Sequence, residues 1–293
     1  MDLEAALPYP ELARALEAVL LERRAGRTQA PERLVMALPE GGTLLLMPAS
    51  DPEIAVTKLV TVHPRQRPSV RAELVVMDAR TGERLAQLDG SVVTARRTAA
   101  LSLLAAQKLS PRPPEPEDVL LVVGAGVQGR SHLEAFRAGL GLRRVRVASR
   151  SEASARSLLE HARGLGMEAA LAPDVARAAL EAAFIVTATT SHTPVLGEGV
   201  REDAFIAAVG AYRPDMAEVA PGLVRRCRVF VDTLEGARAE AGDLIQAGVG
   251  WEAVTPLEEA LEGGRPQGPV LFKSVGHALW DLAAARLAVR GRA

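Results

Sequence analysis

Residues 119–129 read VLLVVGAGVQG: five apolar residues run into Gly124, Gly126 and Gly129 in G-x-G-x-x-G spacing, and a helix-like stretch follows. No other segment constrains the fold as tightly. A strand that is apolar at every position must be covered on both faces, which calls for a parallel sheet with helices on either side. Gly124 permits a tight turn out of the strand, Gly126 lets bare backbone approach a pyrophosphate, and Gly129 lets helix and strand pack closely. The N–H groups opening the helix at Val127 and Gln128 then face an anion, aided by the helix dipole. The segment predicts a dinucleotide site built from Gly124, Gly126, Val127, Gln128 and Gly129.

Strand and helix alternate beyond it: VRVAS, a helix over 152–164, MEAAL, DVARAALEAA, FIVTAT, AFIAAVG and RVFVD. Upstream, ELARALEAVLLERR has helical spacing, and residues 33–47 and 54–62 read as strands interrupted by Pro39 with Gly41-Gly42 and by Pro48 to Pro52. ELVVMDARTGERLAQLDG reads as a hairpin and residues 95–109 as a helix. SPRPPEPED, residues 110–118, holds four prolines and three acids and is the strongest linker signal. The expected fold class is α/β: a Rossmann-type doubly wound parallel sheet plus a discontinuous α+β substrate and dimerisation domain. Residues 113–274 form the first, and residues 1–112 with the C-terminal helix of 275–293 form the second.

Composition excludes several functions. The net charge of −1 supplies no attraction for nucleic acid or an anionic membrane. No apolar run reaches the ~18 residues of a membrane span, and the acidic, amphipathic N-terminus lacks a signal-peptide layout. The single cysteine, Cys227, lies in an apolar run, fits a reducing cytoplasm and reads as structural. The histidines show no metal-ligand spacing, and His132 reads as a packing or capping residue. Of 35 basic residues only Lys58, Lys108 and Lys273 are lysine. Lysine, unlike arginine, can lose its proton in a suitable site.

The second strand of the nucleotide domain closes with Ser149-Arg150-Ser151. An NAD site places an acid there for the ribose 2′-OH, whereas hydroxyls and a guanidinium suit a 2′-phosphate. NADP(H) is therefore favoured, with NAD(H) possible; the alternative is that Arg150 only flanks a helix capped by Ser151.

RLVMALPEGGTLLLMPAS, KLVT at 58–61, TARRTAALSLLA, GAGVQGRSH, TATTSHTPV, AAVGAYRPDMAEV, EAGDL and FKSVGHALWDLA occur in an order that resembles the ornithine cyclodeaminase/mu-crystallin family over most of the chain. The resemblance implies a homodimer acting on a small imino or amino acid with a nicotinamide cofactor, and no metal. It assigns Arg33 and Arg97 to the substrate carboxylate and Lys58 to catalysis and substrate binding. It sets Thr187, Ala188, Thr189 and Val209 against the cofactor, with Gly210, Thr98 and Ser274 assisting. Arg96, beside Arg97, reads as an exposed helix arginine. A lysine beside two arginines is expected to have a lowered pKa.

Cyclodeaminases of this family carry an aspartate shortly after the Val-Gly-Gly-like turn; here Tyr212 occupies that place. Without that base, the simpler hydride transfer is favoured: NADPH-dependent reduction of cyclic 2-imino acids of the pyrroline-2-carboxylate or piperideine-2-carboxylate type. The alternatives are reductive amination of the alanine dehydrogenase type, ornithine cyclodeamination, and a non-enzymatic NADPH carrier, which has no need of Lys58, Arg33 and Arg97 together. Asp243 reads as structural.

Overall fold

The strand segments between Leu34 and Asp89 fold as an antiparallel sheet; the continuous apolar runs from Val119 onward fold as a parallel one. The computed structural model describes residues 2–290. Its first unit takes the chain up to Arg97 and again from His277, and its second unit is Thr98–Gly276.

The first unit opens with α1 (Leu3–Ala6) and α2 (Tyr9–Arg24). An antiparallel sheet of order β1 (Leu34–Leu38), β2 (Gly42–Ser50), β3 (Ile54–Val62), β4 (Val70–Asp78) and β5 (Arg84–Asp89) follows, then α3 (Gly90–Leu109). The proline block does not end β2 at Pro48, as expected, because the strand runs on to Ser50. Pairing with β1 stops at Leu46, so one edge of β2 is open at Pro48, where a residue without an N–H is tolerated. Nor does α3 begin at residue 95. The Asp89 carboxylate accepts hydrogen bonds from the Ser91 and Val92 amides, starting the helix at Gly90 despite its β-branched first turn. A Cβ at Gly90 would lie 2.8 Å from the Ala72 backbone, so only glycine fits that approach.

In β3, Ile54, Val56, Lys58 and Val60 are buried in alternation, which puts Lys58 on the covered face. The last helix, α11 (Ala278–Val289), is apolar nearly all round and packs on α2, β2 and β3.

The second unit contains the rest of α3, β6 (Val119–Val123), α4 (Val127–Leu140), β7 (Arg144–Ala148), α5 (Glu152–Gly164), β8 (Glu168–Leu171), α6 (Val175–Glu181), β9 (Phe184–Thr187) and β10 (Phe205–Ala208). It continues through α7 (Pro221–Arg226), β11 (Arg228–Val231), α8 (Leu234–Glu240), α9 (Gly242–Ala247), β12 (Thr255–Pro256), α10 (Leu257–Ala260) and β13 (Val270–Lys273). Its sheet is parallel throughout, in the order β12-β11-β13-β10-β9-β6-β7-β8. The run β8-β7-β6-β9-β10 follows the 3-2-1-4-5 order of a doubly wound dinucleotide fold, the last strand in sequence, β13, takes the sixth place ahead of β11 and β12, and the strand order reverses between β6 and β9.

The division between units falls inside α3, between Arg97 and Thr98. The proline-rich segment 110–118 lies within the second unit, where Arg112 bonds both Asp118 and Asp203.

Candidate active site

Register aligns the second unit's candidate residues along one edge of the sheet. Val123 pairs with Ala148 on one side and Thr187 on the other; Thr187 pairs with Ala208, and Ala208 with Lys273. Gly124, Ser149, Ala188, Val209 and Ser274 each follow one of these residues, so all stand at the carboxyl ends of adjacent strands. In open α/β sheets that edge, at the strand-order reversal, is where ligands bind.

The glycines divide their work there. Gly124 has φ +110°, and a Cβ on it would meet the Ala188 carbonyl oxygen at 2.4 Å. One on Gly129 would lie 1.9 Å from the Gly124 oxygen, whereas one on Gly126 meets nothing within 4 Å. Gly126 is the N-cap of α4 and makes no side-chain cap bond, so the helix opens with free amides toward open space. That is the cradle a pyrophosphate requires. Val127 is exposed, and the Gln128 carbonyl accepts a bond from the His132 ring. Ser149 and Arg150 are exposed after β7; Ser151 caps α5 by accepting from the Ser154 amide. The Thr187 hydroxyl is buried with no hydrogen-bond partner among the described residues.

The first unit gathers the basic residues. Lys58 is buried, and its Nζ lies 2.8 Å from Asp281 Oδ2. Arg97 Nε donates to the other oxygen of the same carboxylate at 3.2 Å. Burial pushes Lys58 below the usual lysine range; Asp281 opposes this, and the charges of Arg97 and Arg33 push with burial. Like-charge repulsion is thus real, but desolvation leads. Arg33 is half-buried. Arg96 is a correction: rather than lying exposed, it covers the Tyr9 ring at 4.0 Å and donates to the Leu7 carbonyl at 2.8 Å. Neighbouring positions on a helix point about 100° apart, so one arginine can pack on α2 while the other meets α11.

A family profile, that of the ornithine cyclodeaminase/mu-crystallin family, matches residues 1–293. The chain belongs to this family. It is 41% identical to Delta(1)-pyrroline-2-carboxylate reductase 1 of Burkholderia multivorans, over 98% of this chain and 93% of that protein. The Delta(1)-pyrroline-2-carboxylate/Delta(1)-piperideine-2-carboxylate reductase of Azospirillum brasilense is also 41% identical, over 98% of this chain and 93% of its own. The solved Thermococcus litoralis Delta(1)-pyrroline-2-carboxylate reductase, in complex with NADH and L-proline, has a TM-score of 0.90 at 29% identity, covering 98% of this chain and 94% of that one.

Two buried carboxylates of this family member escaped the sequence reading. Asp281 is the only acid in ALWDLAAARLAV, which is apolar apart from it and Arg286, and an acid on a helix buried all round was the signal available. Glu218 lies farther along the loop after Val209-Gly210 than the Tyr212 position where the family's aspartate is expected, so that motif does not point to it. Its carboxylate accepts from Thr189 and from the Gly210 and Ala211 amides, and burial raises its pKa above the usual range. Asp243 accepts from the Glu218 and Val219 amides and pairs with Lys273 at 2.9 Å, so a second of the three lysines is buried in an ion pair. The Ser274 hydroxyl donates to Asp232, which also receives the Val275 and Gly276 amides.

Burial pushes the Cys227 thiol up to about 12, leaving it protonated and unreactive. No three His, Cys, Asp or Glu among the described residues group as metal ligands, and no described helix is long and apolar enough to cross a membrane.

His132 is wholly buried: Nδ1 bonds the Gln128 carbonyl at 2.8 Å, and Nε2 meets the Ser102 hydroxyl at 2.9 Å. Burial lowers its pKa from 6.5 to about 4. Between those values the unfolded chain binds a proton that the folded chain refuses, so stability falls as pH drops through the window. The loss reaches up to about 3 kcal/mol. Thermal unfolding followed from pH 7 to pH 4 should show a shallower decline in His132→Asn than in the parent; parallel curves would refute the assignment.

Proposed function

We propose that this protein reduces the C=N bond of cyclic 2-imino acids, with five- and six-membered rings, to the cyclic amino acids, using NADPH in preference to NADH. The observation that carries the reading is the buried Lys58–Asp281–Arg97 arrangement. Asp281 occupies the Nε edge of Arg97, so the two terminal nitrogens are the ones offered for a bidentate grip on a substrate carboxylate. Arg33 adds positive charge close enough to act on Lys58. The similarity to the pyrroline-2-carboxylate reductases supports the substrate class, and their coverage of nearly the whole chain supports extending it to the full reaction.

Lys58 delivers the proton. As an ammonium ion it donates to the ring nitrogen, leaving a carbon electrophilic enough to take hydride; a pKa lowered by burial makes that proton easier to give near neutrality. The nicotinamide, when bound, supplies the hydride, so each turnover adds one hydride to carbon and one proton to nitrogen. Gly124, Gly126, Val127, Gln128 and Gly129 hold the pyrophosphate, and Thr187, Ala188, Thr189, Val209 and Ser274 line the remainder. Arg150, with Ser149 and no acid before Glu152 of α5, favours the 2′-phosphate of NADPH.

Ornithine cyclodeamination is disfavoured by the same loop. Tyr212 is exposed there, Asp215 is held ionised by Arg213, and Glu218 is committed to backbone amides. A homodimer belongs to the proposal: Leu34, Val35 and Met36 of edge strand β1 are 53%, 62% and 46% exposed, an apolar row that a second copy would cover.

Loss of reduced-nicotinamide absorbance should be measured with both cofactors, using pyrroline-2-carboxylate, piperideine-2-carboxylate, and pyruvate with ammonia. Rapid NADPH-linked turnover of the cyclic imines is expected. Turnover of pyruvate alone would replace this reading with alanine dehydrogenase chemistry, and equal rates with NADH would overturn the 2′-phosphate assignment.

A further inference from the structure

The Glu218 side chain is buried without an arginine or lysine bonded to it; four N–H and O–H donors surround it instead. Oε1 accepts from the Thr189 amide at 2.6 Å and the Thr189 hydroxyl at 2.9 Å, and Oε2 accepts from the Gly210 amide at 2.6 Å and the Ala211 amide at 3.2 Å. The four lone-pair positions of an ionised carboxylate are thereby filled. Thr189 belongs to the turn after β9, and Gly210 and Ala211 to the turn after β10. One carboxylate thus bridges two strand ends.

Its own backbone is anchored in turn. The Glu218 amide donates to Asp243 at 2.5 Å, and the Glu218 carbonyl accepts from the Val195 and Leu196 amides at 2.8 and 2.9 Å. Asp243 is paired with Lys273 at the end of β13. Since that pair is neutral by itself, Glu218 is an additional anion, and the cost of burying a carboxylate is offset here by its four donors, which only these two turns in this arrangement supply. The turns are also packed as tightly as backbone allows: a Cβ on Gly210 would lie 2.1 Å from the Thr189 carbonyl oxygen.

We infer that Glu218 is a positioning residue that locks the β9 and β10 turns together and so shapes the nicotinamide half of the dinucleotide site. The inference rests on the dinucleotide reading above. In a doubly wound fold the two halves of the ligand lie on opposite sides of the strand-order reversal. Ser149 and Arg150, after β7, belong to the adenosine side; Thr189 and Gly210, beyond β9, belong to the other. In Glu218→Gln an amide NH2 replaces one acceptor and faces two donors, so one of the two turns is released.

The test compares the affinity of NADPH with that of 2′-phospho-ADP-ribose, which lacks the nicotinamide. In Glu218→Gln, NADPH should bind about tenfold more weakly while the fragment stays within about twofold of the parent, and kcat should fall. Equal weakening of both, or no change in either, overturns the inference. Should the glutamine variant fail to fold, Glu218→Asp, which keeps the charge but is too short to span both turns, is read by the same split. Gly126→Val separates the premises: if it leaves both affinities unchanged the dinucleotide reading itself fails, and if it abolishes both, that reading stands and Glu218 is judged alone.

Discussion

Replacing Lys58 by methionine should lower kcat for cyclic imine reduction by about a hundredfold or more while leaving the affinity for NADPH unchanged. Methionine keeps much of the stem's packing against its β3 neighbours and removes the acidic proton. The size follows from the usual contribution of a positioned general acid, and its confinement to kcat follows because the proposal assigns the pyrophosphate to the glycine loop and gives Lys58 no part in holding the cofactor. Asp281 loses its 2.8 Å partner but keeps Arg97 at 3.2 Å. The stability loss should therefore fall short of the ~3–5 kcal/mol that follows when a buried ion is left wholly unpaired. Stopped-flow reduction with direct NADPH titration measures both quantities. A fall in kcat of less than about threefold would remove Lys58 from proton transfer.

The second large effect is expected at Gly129. Alanine there would set its Cβ 1.9 Å from the Gly124 carbonyl oxygen and 3.0 Å from the Gly124 carbonyl carbon, a clash with backbone that no side-chain rotation relieves. The N-terminus of α4 must then back away from the end of β6. We expect a loss of about 1–3 kcal/mol in stability from overpacking, together with a loss of NADPH binding. Gly126→Val is the informative companion. Its φ of −86° is ordinary for any residue and an added Cβ meets nothing within 4 Å, so its melting temperature should match the parent's while NADPH binding is lost. A Gly126→Val protein that bound NADPH normally would show that the open space before α4 is not the pyrophosphate site.

These two predictions differ in how far the sequence alone could have carried them. The glycine loop was readable because all of its determinants lie within eleven residues: an apolar strand, a turn that demands glycine, and a helix start. The parallel sheet was readable for a similar reason, since apolar strands without alternation must be covered on both faces. Lys58 stood out by being one of three lysines among 35 basic residues, and the family resemblance gave it a role. Its counter-ion did not stand out. Asp281 is bonded to Arg97 across 184 positions of sequence, and no spacing rule connects them.

Local misreadings have equally local causes. Residues 90–94, GSVVT, have poor intrinsic helix preference, yet α3 begins there because Asp89 caps it. Pro48 reads as a strand breaker, but β1 is too short to pair with β2 at that point, so no ladder bond is missing on that edge. In the first case a side-chain cap outweighed propensity; in the second an edge without a partner removed the cost of the proline.

What the sequence determined by itself is the α/β class, the strand–glycine turn–helix at residues 119–140 and the family, since each is written in short-range pattern or in the order of motifs along the chain. What only the tertiary structure decided is how the charges are held: Lys58 and Arg97 sharing Asp281, and Glu218 tying two turns through four donors. Burial turns a titratable side chain into a positioned one, and burial depends on which distant segments pack together, which no local pattern records.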